Sequence, residues 1–576
     1  MDTVAPPRGQ ALPVRPWSAG MPPRPRPGSL PVLRPPPRQP KGWTFAAALI
    51  VAVLSLPVLV IAGGLLRPAS ETWSHVASTV LSSYAINSIV LVLGTGAVTL
   101  LIGVATAWLV SAYEFPGRRV FEWALILPLA VPAYIAAYTY AGMLDVTGPM
   151  QRLVRWAVPS LAGEFLYIHV AGMGAAIFIF SVVLYPYVYL VARTSFGRQS
   201  AGALDAARLL GRGPWATFFR VALPLARPAL VAGGGLVAME VLNDYGAVKY
   251  LGVTTFTTGI FRAWFGLGDL DSAVRLSGLL MLFVFGLLAF ERAQRGRARY
   301  TSGEATPRPA ARRRLNRSHA TLAIAVCMVP LAFGFLIPLA QLFYWTTTTA
   351  GDVIDARFIR LVLNSFTLAG VAAALCVVLA IIVAFAVRLH PGHWLQRFSR
   401  IAVLGYSIPG AVIAVGVLVP FAWLDHRIDG AMSATLGVST GLLLSGTLVA
   451  VMFAYAVRFM AVAFLPLEAG FSRVCRNVDS AARCLGASPW RALRCIALPL
   501  LRGTMAGAAI LVFVDVMKEL PLTLILRPFN FDTLATRAYQ LATDEMLAVS
   551  ANYSLIIIAA GIIPVIVLNR LLERRS

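Results

Sequence analysis

The sequence predicts an all-α membrane protein of about twelve transmembrane helices, set out as two parallel repeats. Three observations carry that expectation. Of 576 residues, 58% are hydrophobic and 13% charged, against about 25% charged in a soluble domain. The apolar residues fall in runs close to the roughly 20 residues a helix needs to cross the hydrocarbon, and Lys and Arg gather between the runs. One polar segment also occurs twice, at residues 206–224 and 481–499.

In chain order, residues 1–42 are Pro- and Arg-rich and too poor in apolar residues to bury a core, so they are expected to form a disordered cytoplasmic tail. This basic stretch is too long for a signal peptide, and the run after it is long enough to span. A first transmembrane domain is expected over 43–290, with spans at 43–66, 86–112, 120–143, 170–192, 230–243 with its continuation, and 273–290. A basic linker, 291–319, carries Arg312, Arg313 and Arg314. The second domain, 320–576, repeats the plan at 320–343, 361–387, 401–424, 441–464, 505–525 and 546–568. With an even number of spans in each half, the tail, the linker and the Arg574-Arg575 terminus all fall on the cytoplasmic side, as the positive-inside rule requires. Both halves then face the same way.

The repeat is legible residue by residue. AARLLGRGPW over AARCLGASPW superposes Ala206, Ala207, Gly211, Pro214 and Trp215 on Ala481, Ala482, Gly486, Pro489 and Trp490, and Leu223-Pro224 falls on Leu498-Pro499. Asn87-Ser88 and Asn364-Ser365 open the second span of each half, and Pro132 and Pro409 sit mid-span in the third. In each copy a helix should break at the Gly, turn at the Pro-Trp and present a Trp and several Arg.

This arrangement resembles the cytoplasmic "EAA" loop of ABC importer permeases: Glu-Ala-Ala, three residues, Gly, nine residues, Ile, one residue, Leu-Pro. The first copy supplies Asp205-Ala206-Ala207 and Gly211. The second supplies Ala481, Ala482 and Gly486, with its acid, Asp479, one place early, which leaves an acid-mediated contact there open. The resemblance implies the type I importer permease fold and an ATPase subunit docked at each loop. The chain has no GxxxxGK[ST] segment, so ATP and Mg would be used by that separate partner, and no cofactor is expected in this chain.

The fifth spans carry acids where a membrane helix should not. Glu240 and Asp244 stand in VAMEVLNDYG, and Asp515 and Glu519 in VDVMKELPLT, with Lys518 beside Glu519 as a counter-charge. The i, i+4 spacing predicts one shared helix face for each pair. A charge at mid-span costs roughly 2.5 to 3.5 kcal/mol, so four acids point to a hydrated interior face lining a substrate pathway; knitting of helices through ion pairs is the structural alternative.

Residues 516–545 and 245–269 resemble the corresponding segments of ferric-iron ABC importer permeases. This implies a substrate of Fe(III) handed over by a periplasmic binding protein, in keeping with the preference of a hard cation for oxygen ligands. A thiamine or other organic-cation importer shares the fused layout, and an ion-coupled secondary carrier is the alternative of a different class. The formal charge of +24 does not mark a nucleic-acid partner, because the basic residues flank spans instead of forming a soluble face; membrane lipid is the expected surround. The five cysteines show no CxxC spacing and imply neither disulfides nor zinc. His390 and His393 read as solvated loop residues, and no catalytic set can be assembled, so an enzyme is not expected.

Overall fold

The computed structural model describes the chain apart from residues 1–40, 67, 69, 146–147, 150–151, 153–169, 200–206, 208, 296–311, 391 and 574–576. The Pro- and Arg-rich tail, the middle of the linker, Arg574, Arg575, Asp205 and Ala206 therefore lie outside the described residues. Among the described residues, eleven helices are long and apolar enough to cross a membrane, and twelve if one bent pair counts as a span.

In the first half these are Gly42–Gly64, Leu81–Ala112, the pair Arg118–Ala130 and Ala133–Leu144 bent by 88°, Gly172–Gly197, Pro214–Asn243 and Leu270–Gln294. In the second half they are Arg317–Val353, Ala356–Leu389, Gly410–Leu436, Leu448–Arg473, Pro489–Lys518 and Leu547–Pro564. The third spans depart most from expectation. Pro132 and Pro409 break them outright, since each proline removes a backbone donor and clashes with the preceding turn. In the second half His393–Val403 is a separate helix followed by a 3-10 turn, Leu404–Ser407, so the span starts at Gly410 instead of Ile401.

The fifth spans differ too. They begin at Pro214 and Pro489, so each Pro-Trp opens the span and is not a turn within the loop. Proline suits the first helical turn, where its missing N–H has no partner to lose. Each span then widens into a π-helical turn, Phe218–Ala222 and Leu493–Ala497, which ends at Leu223-Pro224 and Leu498-Pro499. There the second proline cannot donate to the carbonyl four residues back, and the wider turn accommodates the gap. The second-half span stops at Lys518, short of Ile525.

The halves interlock through their first spans. Trp43 packs edge-on against Phe385 at 5.0 Å, the Thr44 hydroxyl bonds His390 Nδ1 at 3.1 Å, and a Cβ on Gly416 would sit 2.7 Å from the Pro57 carbonyl. His390 is thus engaged across the two halves and is not a solvated loop residue. Reciprocally, Tyr140 Oη donates to the Phe333 carbonyl and Phe178 packs edge-on against Phe333 at 5.7 Å.

The paired Asn-Ser motifs have a physical basis. Ser88 Oγ accepts from the Phe256 N–H at 3.3 Å, and Ser365 Oγ from the Leu534 N–H at 2.8 Å. The helices so anchored, Phe256–Phe261 and Leu534–Thr543, both open with a Thr-x-x-Thr capping box, Thr255 with Thr258 and Thr533 with Thr536.

Candidate substrate pathway and coupling segments

Both fifth spans end at equivalent residues, Asn243 and Lys518. Asp244 (ψ 137°) and Glu519 (ψ 120°) are already extended, so the expected single helix face for each acid pair does not exist. Instead each carboxylate turns onto the short helix that follows. Asp244 Oδ1 accepts from the N–H groups of Ala247 at 2.8 Å and Val248 at 3.3 Å, in Gly246–Tyr250. Glu519 Oε1 accepts from the Leu522 N–H at 3.2 Å, in Pro521–Leu526. A helix start has unpaired N–H groups and a positive dipole end, and a carboxylate satisfies both.

The other Glu519 oxygen lies 3.0 Å from Arg458 Nε, with both side chains more than nine-tenths buried. Lys518 is not the partner that adjacency in sequence suggests: its Nζ donates to the Leu129 carbonyl at 2.7 Å, in the broken third span of the other half. Asn243, its counterpart, accepts from the Gly410 N–H at 2.8 Å, again across the halves. The prolines create these backbone groups by interrupting each third-span ladder, and side chains from the opposite half satisfy them. Gly410 also permits close approach, since a Cβ there would meet Glu519 Oε1 at 2.6 Å and Arg458 Nη1 at 2.9 Å.

Glu240 and Asp515 behave differently. Both are half-buried, one helical turn before the span ends, and among the described residues neither carboxylate makes a hydrogen bond or an ion pair. They lie within electrostatic range of each other and of Lys518, Arg458 and Glu519. With Asp244, four carboxylates and two cations leave a formal excess of two negative charges. Just past the acids an aromatic layer spans both halves: Tyr245 stacks on Phe261 at 3.5 Å and Tyr539 stands edge-on to Tyr134 at 6.4 Å. Among the described residues no three His, Cys, Asp or Glu side chains converge on a metal position. Arg458 is the site residue sequence reasoning missed, although an Arg inside the apolar run VMFAYAVRFMAVAF carries its own signal.

The repeated segments match each other closely. Gly211 and Gly486 hold φ of 75° and 76°, the left-handed conformation glycine adopts without penalty. The neighbouring Leu210 and Leu485 are 81% and 87% exposed, and Trp215 and Trp490 are 76% and 59% exposed. Ala207 and Ala482 are buried beneath them, while Ala481 is exposed. Each copy thus presents apolar side chains on a polar background. Asp479 is paired within the chain: Arg388 Nε reaches its Oδ2 at 2.8 Å, and Arg388 also bonds the Val474 carbonyl at 3.1 Å.

The family model described as "Binding-protein-dependent transport system inner membrane component" matches residues 99–291 and again 376–576. The chain is 26% identical over 549 residues to the Fe(3+)-transport system permease protein FbpB 2 of Haemophilus influenzae, covering 93% of this chain and 99% of the relative. It is 25% identical over 505 residues to the probable ABC transporter permease protein y4fN of Sinorhizobium fredii, covering 83% and 86%. A probable sulfate transport system permease protein, cysT of Chlorokybus atmophyticus, is 29% identical over 210 residues, 36% of this chain and 70% of the relative.

Proposed function

As the chain belongs to the family of binding-protein-dependent transport system inner membrane components, it is the non-catalytic membrane part of an ABC importer, and we propose that its substrate is ferric iron. The observation that carries this reading is similarity to an iron permease along nearly the whole of both chains. The half-buried carboxylates of Glu240 and Asp515 support it, because a hard trivalent cation favours oxygen groups and a negative interior lowers the cost of its entry. Asp244 and Glu519 shape the same region by capping the helices beside it. A periplasmic binding protein delivers the ion, and a pair of ATPase subunits acts through the two repeated segments: the first at Asp205, Ala206, Ala207, Gly211, Pro214 and Trp215, the second at Ala481, Ala482, Gly486, Pro489 and Trp490. The basic linker and both termini lie on that ATPase side.

The test is reconstitution of the permease with its ATPase and binding protein in proteoliposomes, with ATP-dependent uptake of ferric iron, thiamine and sulfate measured in parallel. Uptake of iron alone is expected. Uptake of thiamine or sulfate without iron would overturn the substrate assignment and leave the family membership untouched.

A further inference from the structure

A cavity of about 1520 Å³ opens between the spans Leu81–Ala112, Pro214–Asn243, Leu270–Gln294 and Arg317–Val353. It exceeds the roughly 300 to 1,000 Å³ of ordinary small-molecule pockets. Its lining runs from Leu93 to Leu109 along one helix, about 24 Å at 1.5 Å per residue. That length covers the roughly 15 Å of one hydrocarbon leaflet and reaches the headgroup level. The walls are almost wholly apolar, with Leu93, Leu101 and Leu322 exposed along them.

One end is different. Arg227, Arg313, Arg314 and His319 lie there, with Trp108 beside them. A tryptophan of this kind marks the level where the hydrocarbon meets the headgroups. The two linker arginines are held in place by backbone pairing: Tyr113 and Glu114 run parallel to Arg313 and Arg314, and the Leu315 N–H bonds the Glu114 carbonyl at 3.2 Å. Glu114, opposite Arg314 in register, is committed to Arg118 at 3.1 Å, and Arg227 donates to the neutral amide of Gln294 at 2.8 Å. Glu291 also lines the cavity, so cations outnumber anions at its rim.

We propose that this groove is a specific site for an anionic phospholipid, with the acyl chains along Leu93 to Leu109 and the phosphate at Arg313, Arg314 and Arg227. Basic pockets between membrane helices suit anionic headgroups, and each arginine near the surface favours them independently.

The test uses the full chain purified in detergent, incubated with phosphatidylglycerol and phosphatidylcholine of the same acyl chains and weighed by native mass spectrometry. Preferential retention of one phosphatidylglycerol is expected. R313Q/R314Q should weaken that retention by about ten- to thirtyfold, and R313K/R314K should restore it. Gly96 lines the groove, and a Cβ added there would have nothing within 4 Å, so G96F should exclude both lipids while thermal unfolding stays near that of the parent. An unchanged lipid preference in R313Q/R314Q, unchanged retention in a folded G96F, or displacement by millimolar inorganic phosphate would each overturn the proposal.

Discussion

Four acids that look equivalent in the sequence divide into two kinds once their partners are known. Asp244 and Glu519 are helix caps, and Glu519 is also bound to a buried Arg458; Glu240 and Asp515 are half-buried carboxylates with no bonded partner among the described residues. Their variants should therefore fail in different ways. Removing Arg458 with R458M strands a buried carboxylate, which costs about 3 to 5 kcal/mol, and D244A removes a cap worth about 1 kcal/mol; both should lower the thermal midpoint, R458M the more. E240Q and D515N lose an attraction for a passing cation of about 1 to 4 kcal/mol each at close range, a roughly fivefold or larger fall in uptake, with little change in midpoint. Abundance and thermal stability measured beside iron uptake decide it. Loss of stability in D515N matching that of R458M would remove Asp515 from the pathway.

Among the elements, the repeated segments are the most legible from sequence at their Gly, because a required positive φ is a local signal that packing cannot erase, whereas the Pro-Trp, read as a turn, opens a span. What lies beyond reach is non-local. Whether Lys518 pairs with its neighbour Glu519 or with a carbonyl 389 positions away depends on how the halves dock, and adjacency in sequence suggests the wrong partner. The helix ends at Asn243 and Lys518 escape a sequence reading for a related reason: i, i+4 spacing assumes a continuing helix, and the caps that end it act downstream. The segments themselves invite a direct test. Gly211 and Gly486 have nothing within 4 Å of an added Cβ, so a bulky side chain there meets no part of this chain and strains only the local backbone, by about 1 to 2 kcal/mol. G211A/G486A carries the same strain without the bulk. G211W/G486W is expected to release the ATPase from the purified complex while G211A/G486A retains it. Equal retention in both would mean that the partner docks elsewhere.

At the scale of the whole molecule, the two halves are joined by more than the linker. Each first span packs on the opposite half, and each fifth-span end bonds the opposite third-span break, Asn243 to Gly410 and Lys518 to Leu129. Tyr138 and Ser554 add a buried hydroxyl pair across the same boundary. The Asn243 and Lys518 bonds satisfy backbone groups that the prolines freed inside the apolar region, where an unpaired polar group costs several kcal/mol. Neither half alone can meet that cost, so association should be driven strongly even without a covalent link. Expressed as two polypeptides divided between Arg295 and Arg312, the halves should copurify at equal stoichiometry and support uptake close to that of the single chain. The K518M variant of the second half deprives the Leu129 carbonyl of its donor, and N243L in the first half does the same to the Gly410 N–H. Together they should reduce copurification in the divided protein far more than they reduce the abundance of the intact chain, where the linker keeps the halves at high effective concentration. The comparison separates the two accounts of the interface. If the divided halves copurify equally well with and without K518M and N243L, lipid-excluding packing holds the molecule together and the crossed polar bonds serve the pathway alone.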